Sequence, residues 1–211
     1  MGNGIKLFSL GVMILAISFL GFVVENIWLA ITKGYIDNRN MTLPFLLGYG
    51  LFVVAIYFMI GTPQEVEILG KWRIEKDGRW FYYFMVTVIV SAGEIALGTL
   101  VERICGFEYW NYEWIPFHLT KYTSLPTSLG FSAIICLVIE NVFPVLIRMT
   151  EQYETIVTQV ICAAVLGACT VDMVVSFCAM YKKRGPNVKW KIEKSTERGA
   201  RRVEVHRYNS I

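Results

Sequence analysis

Residues Val101 to Ser132, VERICGFEYWNYEWIPFHLTKYTSLPTSLGFS, decide how this chain is read. The stretch opens on an ionisable pair, Glu102-Arg103, at the end of an apolar run. It crosses an aromatic segment (Tyr109, Trp110, Tyr112, Trp114, Phe117) and re-enters apolar sequence at Leu125-Pro126. Rings with one apolar and one hydrogen-bonding end favour the boundary between hydrocarbon and water. Such a stretch is expected to turn the chain at a membrane surface.

An earlier segment has the same layout. Val24-Glu25-Asn26 leads through a polar turn to Leu43-Pro44-Phe45-Leu46-Leu47-Gly48-Tyr49-Gly50, much as Val101-Glu102-Arg103 leads to Leu125-Pro126-Thr127-Ser128-Leu129-Gly130-Phe131-Ser132. The reading is a duplicated hairpin, repeat A over 7–61 and repeat B over 80–148.

Composition sets the solvent. Across 211 residues, 55% are hydrophobic and 18% charged, and mean hydropathy is +0.49, which excludes an ordinary soluble domain. In a bilayer every backbone group must be paired internally, so long uncharged runs are helices. Strands of a membrane barrel would alternate apolar and polar residues, and these runs do not. The fold class expected is an all-α polytopic helical bundle with five spans, at 7–32, 43–61, 80–104, 125–148 and 155–181. Residues 1–181 form the membrane domain and 182–211 a basic tail. Ten of the twenty Lys and Arg follow Tyr181. That bias places the C-terminus in the cytoplasm of a multi-pass protein of the cell membrane. An odd number of spans then puts the N-terminus outside, with both repeat turns (33–42 and 105–124) on the tail's side. Beyond Gly185-Pro186 a poorly ordered tail is expected, although the alternation in Arg202-Val203-Glu204-Val205-His206 could pair as an edge strand.

Several function classes fall away. Cys105, Cys136, Cys162, Cys169 and Cys178 lie in or beside apolar runs without CxxC spacing, so neither a disulfide nor a metal site is expected. The GxxxxGK[ST] phosphate loop, GxSxG and HExxH are absent. No cofactor is expected, and the basic tail suits lipid headgroups better than nucleic acid. In the last span, Ala163, Ala164, Gly167 and Ala168 form small-xxx-small pairs that allow close helix approach.

The chemistry rests on acids inside apolar spans: Glu25, Glu94, Glu102, Glu140 and Asp172. A charge at mid-bilayer costs about 2.5–3.5 kcal/mol, so each needs a partner, a proton or a wet cavity. Glu25 and Glu102 hold equivalent repeat positions. Glu94 lies eight residues before Glu102, about 80° round a helix, so the two can face one cavity. Asp172 could complete an acidic centre, with Arg39 and Arg103 as counter-charges. Arg39, Trp110, Asn111, Tyr112 and His118 are read as an interfacial rim, and His118 could carry a proton near neutral pH. Such a centre suits a cation or proton path, or a polar headgroup carrying an amine.

Gly21-x3-Glu25, Gly34-x3-Asn38-Arg39, Tyr49-Gly50, Glu94-x7-Glu102-x3-Gly106, Trp110-Asn111-Tyr112 and Pro116-Phe117 with the Leu-Pro-x-x-Leu-Gly helix start resemble the CmpB-type membrane proteins. These are catalogued as type IV ABC-transporter proteins and include the animal proteins called transmembrane protein 229. The resemblance covers residues 15 to 148; His118 stands where the family carries Asn after Pro-Phe. It implies a membrane location and a transport association. The leading expectation is a permease-like component with an acidic cavity for a small cationic or polar solute. Its partners would be membrane lipid, a separate ATPase or other membrane chain, and a second copy of itself. Two alternatives stand beside it. One is an intramembrane enzyme acting on a lipid or isoprenoid headgroup, with a carboxylate as general base and His118 or Arg103 at the substrate. The other is a non-catalytic assembly subunit whose acids hold helices together.

Overall fold

A computed structural model describes residues 6–68, 72–74, 78–197 and 200–207. Four helices are long and apolar enough to cross a membrane: α1 (Leu7–Thr32), α3 (Arg79–Cys105), α4 (Leu125–Gln152) and α5 (Ile156–Lys183). A shorter apolar helix, α2 (Leu47–Ile60), lies between the first two. The fold is the expected all-α polytopic bundle. Its helices pack most closely as two hairpin pairs, α1 with α2 and α3 with α4.

Close approach within the first pair rests on Gly50. A Cβ there would lie 2.2 Å from the Ile14 carbonyl oxygen, so no other residue allows this separation. Met13, Ile17, Val53, Ile56, Tyr82, Val86, Ile139 and Phe143 fill one end of the bundle with a dry core. At that same end Lys6 pairs with Glu154, Ser9 meets Thr150 at 2.7 Å, and Arg79 lies 3.1 Å from Glu140. Glu140 belongs to a π-helical segment of α4, Val138–Val142, just before Pro144. A wide turn fits there because Pro144 has no N–H to return to the preceding turn.

The second helix differs from expectation. Helix α2 starts at Leu47 rather than 43 and has 14 residues, about 21 Å at 1.5 Å each. Residues 41–46 descend beside α1 without helical hydrogen bonding. The Leu46 N–H donates to the Ser18 carbonyl at 3.0 Å, and the Thr42 and Leu43 N–H groups donate to the Asp172 carboxylate at 2.9 and 2.8 Å. Irregular backbone at this depth is tolerated because the protein itself supplies its partners. Pro44 favours the departure, since the residue before a proline is pushed out of the helical region.

The tail differs too. In place of a poorly ordered segment, β6 (Trp190–Glu197) and β7 (Ala200–Arg207) form an antiparallel hairpin. Strand β6 pairs with β1 (Tyr35–Asp37), so the sheet order is β1-β6-β7 and the alternating Arg202–His206 segment lies in its edge strand. Before the hairpin, a buried asparagine cluster clamps tail to turn. Asn38 donates to the Met41 and Asn187 carbonyls at 2.7 and 3.0 Å and accepts from the Lys189 N–H at 2.9 Å; Asn187 bonds Asn40 through both its backbone and its side chain. Arg184 donates to the Ile104 carbonyl at 2.9 Å. Both repeat turns and the tail therefore share one end of the bundle, opposite Lys6.

The connection after α2 holds a short hairpin of β2 (Val66–Ile68) and β3 (Trp72–Ile74). A second small ladder, β4 (His118–Thr120) with β5 (Thr123–Ser124), precedes α4. The small residues of α5 do not pack within the chain. Ala163, Ala164, Gly167 and Ala168 are exposed, and a Cβ on Gly167 would meet nothing within 4 Å.

Candidate functional site

Between the two hairpin pairs, in the half of the bundle nearest the turns and tail, lies a cavity of about 590 Å³. Its floor is apolar, formed by residues such as Ile17, Phe52, Val90 and Val138. Its polar groups gather toward the turns: Glu25, Arg39, Glu94, Tyr49, Tyr109, Trp110 and Tyr112.

Glu25 reaches the cavity from α1, two turns before the helix ends. Tyr49 donates its hydroxyl to Glu25 Oε1, and Arg39 Nη2 lies 3.0 Å from Oε2. The Tyr49 ring fits because Gly21 has no side chain; a Cβ there would lie 2.8 Å from the ring. Arg39 is held with unusual firmness. It and Asn40 both adopt left-handed backbone, φ 47° and 64°, a strained pair for residues with side chains. Asp37 accepts the Arg39 N–H at 2.7 Å and lies 3.6 Å from Nη1, while Tyr109 donates to the Arg39 carbonyl at 3.0 Å. Burial opposes the Arg39 charge, but Glu25, Tyr109 and Asp37 outweigh it and hold its pKa above the usual value. Its Nε is buried with no hydrogen-bond partner.

Glu94 faces the cavity from α3. Its Oε2 accepts from Thr123 Oγ1 at 2.6 Å and Ser128 Oγ at 3.1 Å, two hydroxyls at the start of α4. Among the described residues no Lys or Arg pairs with it. Tyr112 senses both carboxylates: burial raises its pKa first, and the charges of Glu25 and Glu94 raise it further. Trp110 donates its indole N–H to the Tyr122 carbonyl at 2.8 Å and meets the Tyr109 and Tyr122 rings edge-on, which fixes it at the cavity margin.

Other candidates lie elsewhere. Glu102 does not reach the cavity; it bonds Lys121 at 2.6 Å and the Tyr122 hydroxyl at 2.6 Å at the outer end of α3. The eight-residue spacing correctly relates Glu94 to Glu102 by angle, but it also moves Glu102 about 12 Å along the helix, to the turn. Arg103 is exposed, and Lys121 takes the place expected for it as the Glu102 counter-charge. Asp172 does not complete an acidic centre, because its carboxylate is occupied by the Thr42 and Leu43 N–H groups. His118 is exposed on β4 with Nδ1 3.1 Å from the Ile115 carbonyl. Asn111 bonds Glu108 and the Glu113 N–H in the exposed turn. Neither lines the cavity. Glu102 and Glu25 nonetheless share a construction: the Tyr122 ring lies over Gly98, four residues before Glu102, as the Tyr49 ring lies over Gly21.

Sequence reasoning did not select Tyr49, Tyr109, Thr123 or Ser128 as site residues. Tyr49 and Ser128 entered as repeat positions and Tyr109 as an interfacial ring, and the hydroxyls of Thr123 and Ser128 resemble those of Ser124 and Thr127, which serve a different purpose, capping α4. Among the described residues no group of three His, Cys, Asp or Glu could hold a metal.

No curated protein and no solved structure matches the chain. One family model, described as "Putative ABC-transporter type IV", matches residues 12–177, which include every residue that lines the cavity. By that match, over most of its length, the chain belongs to this family of transporter-related membrane proteins.

Proposed function

We propose that the protein is a permease-like component of the cell membrane that holds a small cationic or polar solute between its two hairpins. The observation that carries this reading is Glu94, a carboxylate facing a cavity at hydrocarbon depth with hydroxyl partners but no basic one among the described residues. Such a group takes a proton or a cation, because an uncompensated charge there is costly. Glu25, already paired with Arg39, orders the wall. The two Gly-x3-Glu units with overlying tyrosines support a duplicated origin for the hairpins, and repeats commonly frame transporter sites. The basic tail supports a cytoplasmic position for the turns and the cavity mouth. Any work driven by ATP would come from a separate ATPase chain. The lipid-facing small residues of α5 offer a surface for a second copy or another membrane chain.

For the enzyme alternative a carboxylate lines the cavity, but His118 and Arg103, the groups expected at the substrate, do not. Uptake of radiolabelled tetramethylammonium and hexyltrimethylammonium into proteoliposomes tests the transport reading. Uptake above protein-free vesicles, reduced at least about tenfold by Glu94→Gln, is expected. No uptake, or equal uptake by wild type and variant, would overturn it.

A further inference from the structure

We infer that the occupant of the cavity is a single-chain amphiphile with an organic ammonium headgroup, taken from the membrane leaflet. The inference rests on the proposal that the Glu94 cavity is a binding site and adds the class of ligand.

Shape points to a chain. The lining runs along α1 from Ile17 to Glu25 and along α3 from Val90 to Val101. At 1.5 Å per residue these spans are about 12 and 16 Å, close to half of the ~30 Å hydrocarbon core and so to one leaflet. The inner part is apolar, and the dry core of Met13, Val86, Ile139 and Phe143 closes it from the other end. Leu51 on α2, Leu97 on α3 and Ile134 on α4 line the cavity and yet are 48%, 49% and 39% exposed, so the wall is open at hydrocarbon depth. A hydrated ion would gain nothing from such a floor, whereas an alkyl chain would leave lipid for equivalent apolar contact.

The polar end selects the headgroup. The polar end holds two carboxylates, Glu25 and Glu94, and one guanidinium, Arg39, which already pairs with Glu25. Four aromatic side chains, Tyr49, Tyr109, Trp110 and Tyr112, line the same end. Aromatic faces with a nearby carboxylate are the recognition chemistry of ammonium groups. An anionic head would meet Glu94 with no cation between them, whereas an ammonium supplies the cation that Glu94 takes in place of a proton.

The test is equilibrium binding of tritiated dodecyltrimethylammonium to the full chain, immobilised in dodecyl maltoside, with micelle-bound probe subtracted. Unlabelled tetramethylammonium, hexyltrimethylammonium and dodecyl sulfate serve as competitors. Competition should strengthen at least about tenfold from tetramethyl- to hexyltrimethylammonium, with dodecyl sulfate at least about tenfold weaker than the unlabelled dodecyl cation. Glu94→Gln should lower affinity for the cations at least about fivefold. Val90→Trp, which fills the floor, should abolish the gain from chain length. Equal competition by dodecyl sulfate and the dodecyl cation would overturn the headgroup assignment. Tetramethylammonium binding as tightly as the dodecyl cation would overturn the amphiphile and leave the transport reading standing. Selective binding of the dodecyl cation with no vesicle uptake of any cation would support the occupant and overturn transport. No binding of any cation would overturn both.

Discussion

Replacing Arg39 by Gln removes the guanidinium that pairs with Glu25 inside the bundle. The side chains of the pair are 11% and 16% accessible, and the guanidinium spans Glu25 at 3.0 Å and Asp37 at 3.6 Å. Breaking one partner of a buried ion pair costs about 3–5 kcal/mol, chiefly because the survivor is left buried and uncompensated. Water in the adjoining cavity softens that penalty, which favours the lower end, about 3 kcal/mol. For a chain of this size each kcal/mol lowers the melting temperature by about 2–4 °C, so Arg39→Gln should melt about 6–12 °C earlier. Glu25→Gln should cost less, and the double variant should melt well above the sum of the two losses, since both charges are gone. Arg39→Lys should fall between, because an ammonium is a point charge and cannot serve Glu25 and Asp37 as the planar fork does. Thermal unfolding of the wild type and the four variants in one detergent, followed by tryptophan fluorescence, measures the cycle and the lysine substitution. Additive losses, within about 0.5 kcal/mol, would show that the two groups do not depend on each other and would refute the ion pair as the element that fixes the cavity wall.

Other predictions follow from single contacts. Gly50→Ala should destabilise by about 3 kcal/mol, since its Cβ would meet the Ile14 carbonyl at 2.2 Å, whereas Gly48→Ala, with nothing within 4 Å, should be neutral or stabilise by up to about 1 kcal/mol. Equal melting temperatures for the two would contradict the α1–α2 packing. Asn38→Ala removes three hydrogen bonds at a site 1% exposed and should cost about 2–3 kcal/mol; limited proteolysis should then cut after Gly185, and an unchanged cleavage pattern would argue against the clamp. Glu108 is held below the usual carboxylate pKa by hydrogen bonds from Asn111 and Lys121. Its contribution should be fully present above the unfolded value, about 4.3, and fade as pH falls through the lower folded value. The stability gap between wild type and Glu108→Gln, measured from about pH 7 to pH 3, should close only at the acid end; a gap independent of pH would rule out the bonded carboxylate.

The sequence by itself determined the solvent, the helix count and the acids that matter to the apolar spans. Runs of apolar residues cannot sit in a bilayer except as helices, and a carboxylate within such a run announces itself by its cost. Glu25 and Glu94 were legible for that reason, and Trp110 and Tyr112 as rings suited to the membrane boundary. Which acids share a cavity was not. Glu94 and Glu102 lie on one helix about 80° apart round its axis, yet only the pairing of α3 with α4 places Thr123 and Ser128 on Glu94 and leaves Glu102 to Lys121 at the turn. Asp172 has the same local signature as Glu94, but the descent of residues 41–46 presents it with two backbone N–H groups. The basic tail was expected to be poorly ordered beyond Gly185-Pro186; Asn187 and β6 dock it through backbone and amide hydrogen bonds, which charge composition does not encode. Local sequence states what each residue costs to bury, whereas the partner that meets the cost comes from elsewhere in the chain, and only the packed helices bring the two together.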